Sequence, residues 1–590
     1  MDWYRQLQFM AAVAMPEEIA DDLGTTVNGM WHAPEARSAE DVATAQAKGQ
    51  RVLFSVPMIA LVPRVYEVDE FAYLLDEVCA DIDGGDAHVD WYYWEPKPVY
   101  SVCIYSEPFR RYLLERCKEG VDKGMDLVNL DEINTSIGLM TRGPRGSGFC
   151  TLCLDRFRAH ARGGADGGLA DLDDAALRRR LADDDELYGR YRRLHEFEAF
   201  RVMTGFIDEL REYAYATNPD LAVTANLSYL GNIRPTLGAL WGPLWGKFVD
   251  FGMMENHYIV EPDGDHLILP RGKFTAWYRL GTELTDGAPL WICPSITVPR
   301  QMAGEERVAY YELMFVEAYA NAGRWGYYWW PGVDVDARMK ATVPERLRDH
   351  IRFMVDNRDY YEEAVPDNDI AVLYLDSAIG ARPETHSNYL ALAQILAEAG
   401  YQYDTVYAGD GVFTPEDIGE RLLPYRTVIV PEARNATSAQ LANLESYSDR
   451  GGELIIFSDS GLSAKAARLA DGDLLDRFWH EYRDEDRDQV VSLMADVPSR
   501  IVVSDAAVNA IRYVRGAQQI IHLINYGYDA ERDQVTPVKG LRVVLPESSD
   551  ARSCRLLDVD GERTVDFRHE ADRLVVDVPD LDVYAVLVVE

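Results

Sequence analysis

The sequence predicts a (β/α)8 TIM barrel followed by a doubly wound α/β unit and a small C-terminal β-sandwich. Three changes of pattern along the 590 residues point to it. Eight short apolar runs alternate with helical stretches up to about residue 360, which is the signature of a parallel barrel. A second, shorter alternation of strand and helix comes next, and from about Ser499 the hydrophobic period falls to two. Domains of roughly 100–200 residues suit this length, and the boundaries fall at 1–364, 365–498 and 499–590.

Taken in order, the barrel strands are expected at 7–13, 26–31, 52–56, 127–130, 222–226, 248–254, 290–293 and 325–329, each rich in apolar residues. The helix before strand four is signposted at both ends. Ser106-Glu107-Pro108 supplies a cap, a first-turn acid and a first-turn proline, and Gly124 closes the helix before the next strand. The charged, helical stretch 175–216 is expected to pack outside the barrel. Pro366 opens the second unit, with strands at 370–374, 403–407, 427–430 and 454–457 separated by helices. In the third unit, runs such as 520–525, 541–545 and 584–589 alternate without long helices, as in a sandwich.

Charge excludes one class of partner. Asp and Glu number 99 against 59 Lys and Arg, a net charge of −40, which would repel a phosphate backbone. Neither nucleic acid nor a membrane is an expected partner. Nine of the 59 basic residues are Lys, and acids cluster at 183–186 and 484–486. Such a surface suits a halophile, where salt screens carboxylate repulsion; an acidic mesophilic protein is the alternative. The first residues have no basic run ahead of an apolar one, and no window nears the roughly 18–20 apolar residues of a membrane span. A cytoplasmic location is expected. Seven irregularly spaced Cys make no disulfide framework.

The doubly wound unit resembles a class I glutamine amidotransferase domain, but Cys554 is the only Cys beyond 293 and lies outside it, so there is no nucleophile for glutaminase chemistry. Barrel, amidotransferase-like domain and small β-domain in that order resemble glycoside hydrolase family 42, the β-galactosidases with a trimerisation domain. Three stretches carry the resemblance. Residues 103–110, Cys-Ile-Tyr-Ser-Glu-Pro-Phe-Arg, are similar to the family's Cys-Pro-x-Ser-Pro-x-Tyr-Arg lead. Asp131-Glu132 stands where the family has Asn-Glu at the end of strand four. Cys150-Thr151-Leu152-Cys153 resembles the tail of its zinc-binding Cys-x-Cys-x-x-Cys. A looser group of glycosyl hydrolase barrels with a strand-four Asp-Glu pair is similar too. The family implies a homotrimer, an oligosaccharide or glycoside substrate, and Glu132 as general acid/base. It also implies a strand-seven Glu nucleophile, yet residues 290–295 read Leu-Trp-Ile-Cys-Pro-Ser, with no carboxylate.

Glycosidic cleavage needs one carboxyl group to protonate the leaving oxygen and another to attack or to activate water. Asp131 and Glu132 end strand four, and Glu255 ends strand six. Two assignments stay open: Glu132 as acid/base with Glu255 as nucleophile or base, or Asp131 as nucleophile with Glu255 as acid/base, as in α-galactosidase-like barrels. A non-catalytic carbohydrate-binding or assembly protein is the third reading. Sugar rings call for stacking aromatics beside polar hydrogen-bonders, and the strand ends and loops offer Trp31, His32, Trp94, Asn226, Asn256, His257, Tyr258, Trp329 and Trp330. No cofactor is required for catalysis. A structural zinc on Cys103, Cys150 and Cys153 lacks a fourth donor, since Gly148 occupies the family's further position, and Asp155 or His160 is the expected substitute.

Overall fold

The computed structural model describes residues 3–11, 27–30, 37–58, 60–89, 97–131, 145–162, 167–226, 249–256, 261–263, 266–268, 273–294, 308–327, 345–375, 384–409, 411, 415–434, 436–457, 467–469, 484–494, 497, 501–529, 531–546, 551–571 and 573–590. Eight parallel strands close a barrel: β1 (Met10–Ala11), β2 (Val27–Met30), β3 (Arg51–Pro57), β4 (Leu127–Asp131), β5 (Ala222–Asn226), β6 (Phe251–Asn256), β7 (Trp291–Pro294) and β8 (Arg324–Tyr327). They pair in sequence order, and β1 closes the ring against both β2 and β8.

Alternation sorts each strand into two faces. Leu53, Leu127, Ala222, Phe251, Met253 and Trp291 form a cluster of their own inside the barrel. Val52, Phe54, Val128, Leu130 and Val223 belong to the large core under the helices. Carboxylates lock the strand starts: Asp126 accepts the Val52 N–H at 2.9 Å, and Asp250 accepts the Val223 N–H at 2.6 Å.

Around the barrel run α1 (Ala39–Ala47), α2 (Glu107–Asp122), α3 (Thr151–Ala161), α4 (Asp174–Asp183), α5 (Asp185–Thr217), α6 (Lys273–Leu284), α7 (Val308–Ala320) and α8 (Glu345–Asp356). Helix α2 starts as expected, with the Ser106 hydroxyl accepting the Phe109 N–H. Its Gly120 lets the helix sit on β3, because a Cβ there would meet the Phe54 ring at 2.4 Å. The stretch expected outside the barrel divides at Asp184, whose side chain caps α5 by accepting the Leu187 N–H. Helix α4 and the opening turns of α5 pack away from the strands, where Leu177, Leu181, Leu187 and Tyr191 cluster with Phe149 and Phe157. The rest of α5, with Phe200, Met203, Phe206, Ile207 and Leu210, joins the main core with Val128 and Leu130. It is a barrel helix, a correction that its apolar stripe explains.

Beyond the barrel, β9 (Ile370–Leu375), β10 (Asp404–Ala408), β11 (Thr427–Val430), β12 (Glu453–Ile456) and β13 (Ala467–Leu469) form a parallel sheet in the order β10-β9-β11-β12-β13. This is a doubly wound order. The C-terminal strands supply five strands of one sheet and all four of another, both antiparallel, with Ile521, Leu523, Val543, Val576 and Leu587 buried between them. Val365–Pro366 adds an edge strand to the larger sheet by pairing with Tyr513 and Val514. No helix among the described residues is long and apolar enough to cross a membrane.

Candidate active site and cysteine cluster

In a (β/α)8 fold the C-terminal strand ends form the functional rim. Strand β4 ends there at Asp131, which pairs in register with Pro57 on β3 and Asn226 on β5. Leu127 lies in the interior cluster, so alternation puts Asn129 and Asp131 on the inward face. One layer below Asp131, the buried Asn129 amide donates to the Ser55 hydroxyl at 2.8 Å. Asp131 is itself buried, and its carbonyl accepts the Met58 N–H at 2.9 Å.

On β6, positions 251, 253 and 255 share one face, and Glu255 pairs in register with Cys293 of β7. Asn226 and Asn256 end β5 and β6. Glu132, Trp31, His32, Trp94, His257, Tyr258, Trp329 and Trp330 lie outside the described residues, as do the side chains of Asn226, Glu255 and Asn256.

Behind the rim, four thiols converge. The Sγ atoms of Cys79, Cys103, Cys150 and Cys153 all lie within 4.8 Å of one another. Cys103 and Cys153 are 3.6 Å apart and Cys150 and Cys153 3.4 Å. Cys79 stands on an antiparallel arm whose base pairs with the residues before Cys103: its N–H donates to Ser101 O at 2.8 Å. Cys150 is the N-cap residue of α3, and Cys153 lies in that helix's first turn. Ala87, Tyr105 and Ala199 enclose the group. The backbone N–H of Gly148 donates to Cys79 Sγ at 3.2 Å.

Three of these thiols were expected together; Cys79 was not. It supplies the fourth donor in place of Asp155 or His160. Asp155 is instead engaged by Arg158 at 2.7 Å. Four thiols in a tetrahedron-sized cluster fit a closed, structural zinc site, whose Zn–S bonds are about 2.3 Å. Hydrogen bonds from Cys103, then Cys150 and Cys153, hold the Cys79 thiol well below its ordinary value. Burial pushes Cys153 up. The remaining Cys could have indicated the missing donor. Cys117 falls on the buried stripe of a helix, Cys293 within a barrel strand and Cys554 in the sandwich, which leaves Cys79.

Solved structures share this fold over the whole chain. The α-L-fucosidase isoenzyme 2 of Paenibacillus thiaminolyticus matches 100% of this chain and 99% of its own at TM-score 0.65 and 13% identity. A GH42 β-galactosidase from G. stearothermophilus matches over 99% and 98% at TM-score 0.62 and 11% identity. A polyextremophilic β-galactosidase from the Antarctic haloarchaeon Halorubrum lacusprofundi matches over 99% of both chains at TM-score 0.61 and 14% identity. No family model matches the sequence, and no curated protein does. At these identities the likeness is one of fold, and it runs the length of the chain.

Proposed function

We propose that this chain is a glycoside hydrolase, exo-acting on terminal sugars of small oligosaccharides or glycosides and β-galactosidase-like. The single observation that carries the reading is the barrel register. Strand four ends at the buried Asp131 and strand six carries Glu255 one residue from its C-terminal end, in a chain whose whole length matches glycosidase folds. In this mechanism Glu132 protonates the leaving oxygen as the glycosidic C–O bond breaks. Glu255 attacks the anomeric carbon, or takes a proton from the water that does. Asp131 and Asn226, level at the rim, hold the sugar's hydroxyls or the acid itself, and the aromatics at 31, 94, 258, 329 and 330 stack on the ring.

One observation favours a second assignment. Asp131 shares the inward face of Leu127 and Asn129, which suits an α-glycosidase with Asp131 as nucleophile and Glu255 as acid/base. A fucosidase of the same fold is consistent with it. A panel of chromogenic α- and β-glycosides assayed in molar salt tests both readings, and no turnover of any of them would remove the hydrolase.

The four-thiol cluster holds a structural zinc in this reading. When bound, the metal ties the arm at Cys79 and the start of α3 to the approach to strand four, and takes no part in the chemical step. The doubly wound sheet is the trimerisation domain of a homotrimer, and the enzyme works in a salt-rich cytoplasm.

A further inference from the structure

The four clustered thiols differ in what can reach them. Cys79, Cys103 and Cys153 are buried, whereas Cys150 is half-buried and open to solutes on one side. Cys150 stands at the N-cap of α3 and its side chain makes no capping bond, so the sulfur turns to the cluster and donates to Cys153 Sγ at 3.4 Å. The N–H groups of the first turn of a helix carry partial positive charge, which favours a thiolate there. Cys103 is nearly as near to Cys153, at 3.6 Å, but both are buried, so a solute meets Cys150 first.

A solvent-reachable sulfur at a helix start with a second thiol beside it is the arrangement that peroxides oxidise. Cys117 and Cys554 offer the contrast. They lie in other parts of the core, and burial pushes them up to about 12 and about 11.

We propose that Cys150 is a site of oxidation by hydroperoxides, with Cys153 as the thiol that resolves the product into a disulfide. The Cys150 sulfur attacks one oxygen of hydrogen peroxide: an S–O bond forms, the O–O bond breaks, the sulfur is oxidised by two electrons to a sulfenic acid, and the hydroxide released takes up a proton. The Cys153 sulfur then attacks that of Cys150, the S–S bond forms, the S–O bond breaks, and a second hydroxide leaves and is protonated. Two thiols and one peroxide become one disulfide and two waters; where the thiols are already deprotonated by a metal, solvent supplies the two protons.

The new bond lies within one turn of α3, so it ties that helix only to itself. The arm at Cys79 and the lead at Cys103 lose two of the donors they share with α3. Backbone bonds from Ile82 N–H to Arg145 O and from Phe149 N–H to Ala80 O, both at 3.0 Å, keep the arm in place, so it loosens without unfolding. Release of zinc on oxidation rests on the zinc reading above; the oxidation itself does not.

Hydrogen peroxide added to the full-length protein as purified, followed by peptide mass mapping, a chromogenic zinc chelator and hydrogen exchange, tests the proposal. The first product should be the Cys150–Cys153 disulfide, reversed by dithiothreitol, with Cys117 and Cys554 unmodified. Zinc should appear in step with it, and the amides of 79, 82 and 149 should exchange about tenfold faster while those of 127–131 do not change. Cys153→Ser, which keeps the attacked sulfur and removes its resolver, should leave a sulfenic acid on Cys150 that dimedone labels. A first disulfide between other cysteines, oxidation of Cys117 or Cys554 at the same rate, cluster thiols that stay reduced, or dimedone on a cysteine other than Cys150 overturns the proposal. The same disulfide with zinc retained, or with amide exchange unchanged, overturns the loosening of the arm. The same disulfide in a protein that carried no zinc leaves the oxidation site standing and sinks only the zinc reading.

Discussion

Glu317 shows what one buried carboxyl does to the whole fold. It lies on α7 against the sandwich, and burial pushes its pKa up to about 8 against the Tyr526 hydrogen bond, which pulls it down. Unfolded, it titrates near 4.5. Between those values the folded chain keeps a proton that the unfolded chain has lost, so stability falls as pH rises. The contribution is fully present below 4.5 and gone above 8. His522 and His195 act oppositely: burial lowers them to about 3 and about 4 from 6.5, so their contribution is present above 6.5 and lost as pH falls. The melting temperature of Glu317→Gln should decline less than that of the wild type between pH 5 and 8.5. Parallel curves would contradict the assignment. None of this was legible in the sequence, where Glu317 is an acid in an apolar helix and its partner lies 209 residues away.

At the scale of elements the sequence is far more explicit. Parallel barrel strands are buried on both faces, so they stand out as apolar runs, and all eight overlap the expected spans. The helix break at Asp184 was concealed because an acid run that caps a helix looks like a solvated face. Cys79 escaped because the fourth thiol arrives from an arm paired at long range, and spacing cannot report that. The arm, α3 and the lead into α2 converge at the sulfurs, so the cluster should act as one unit. Protein purified without added zinc should carry about one zinc per chain, and Cys79→Ser should lose most of it together with thermal stability. Equal zinc in the two proteins would remove Cys79 from the site. The rim was legible up to Asp131, where strand parity determines direction. Glu132, the next residue, lies outside the described residues.

The whole molecule carries a charge of −40, and repulsion of that size is screened over a Debye length that shrinks from about 10 Å at 0.1 M to about 3 Å at 1 M salt. Many of its ion pairs are exposed and contribute little each. Melting temperature should therefore rise from dilute buffer to molar KCl, and a flat response would remove the halophilic reading. Salt sets the condition for the decisive assay, since activity sought in dilute buffer would test stability instead of chemistry. The central claim is that strand-four and strand-six carboxylates cleave glycosidic bonds, and the direct measurement is turnover of the chromogenic panel in molar KCl by wild type and Glu132→Gln. The wild type should hydrolyse at least one terminal glycoside. The variant should lose natural substrates far more than those with acidic phenol leaving groups, which need little protonation. A wild type that cleaves nothing, or a Glu132→Gln variant that cleaves natural and activated substrates as well as the wild type does, would contradict it.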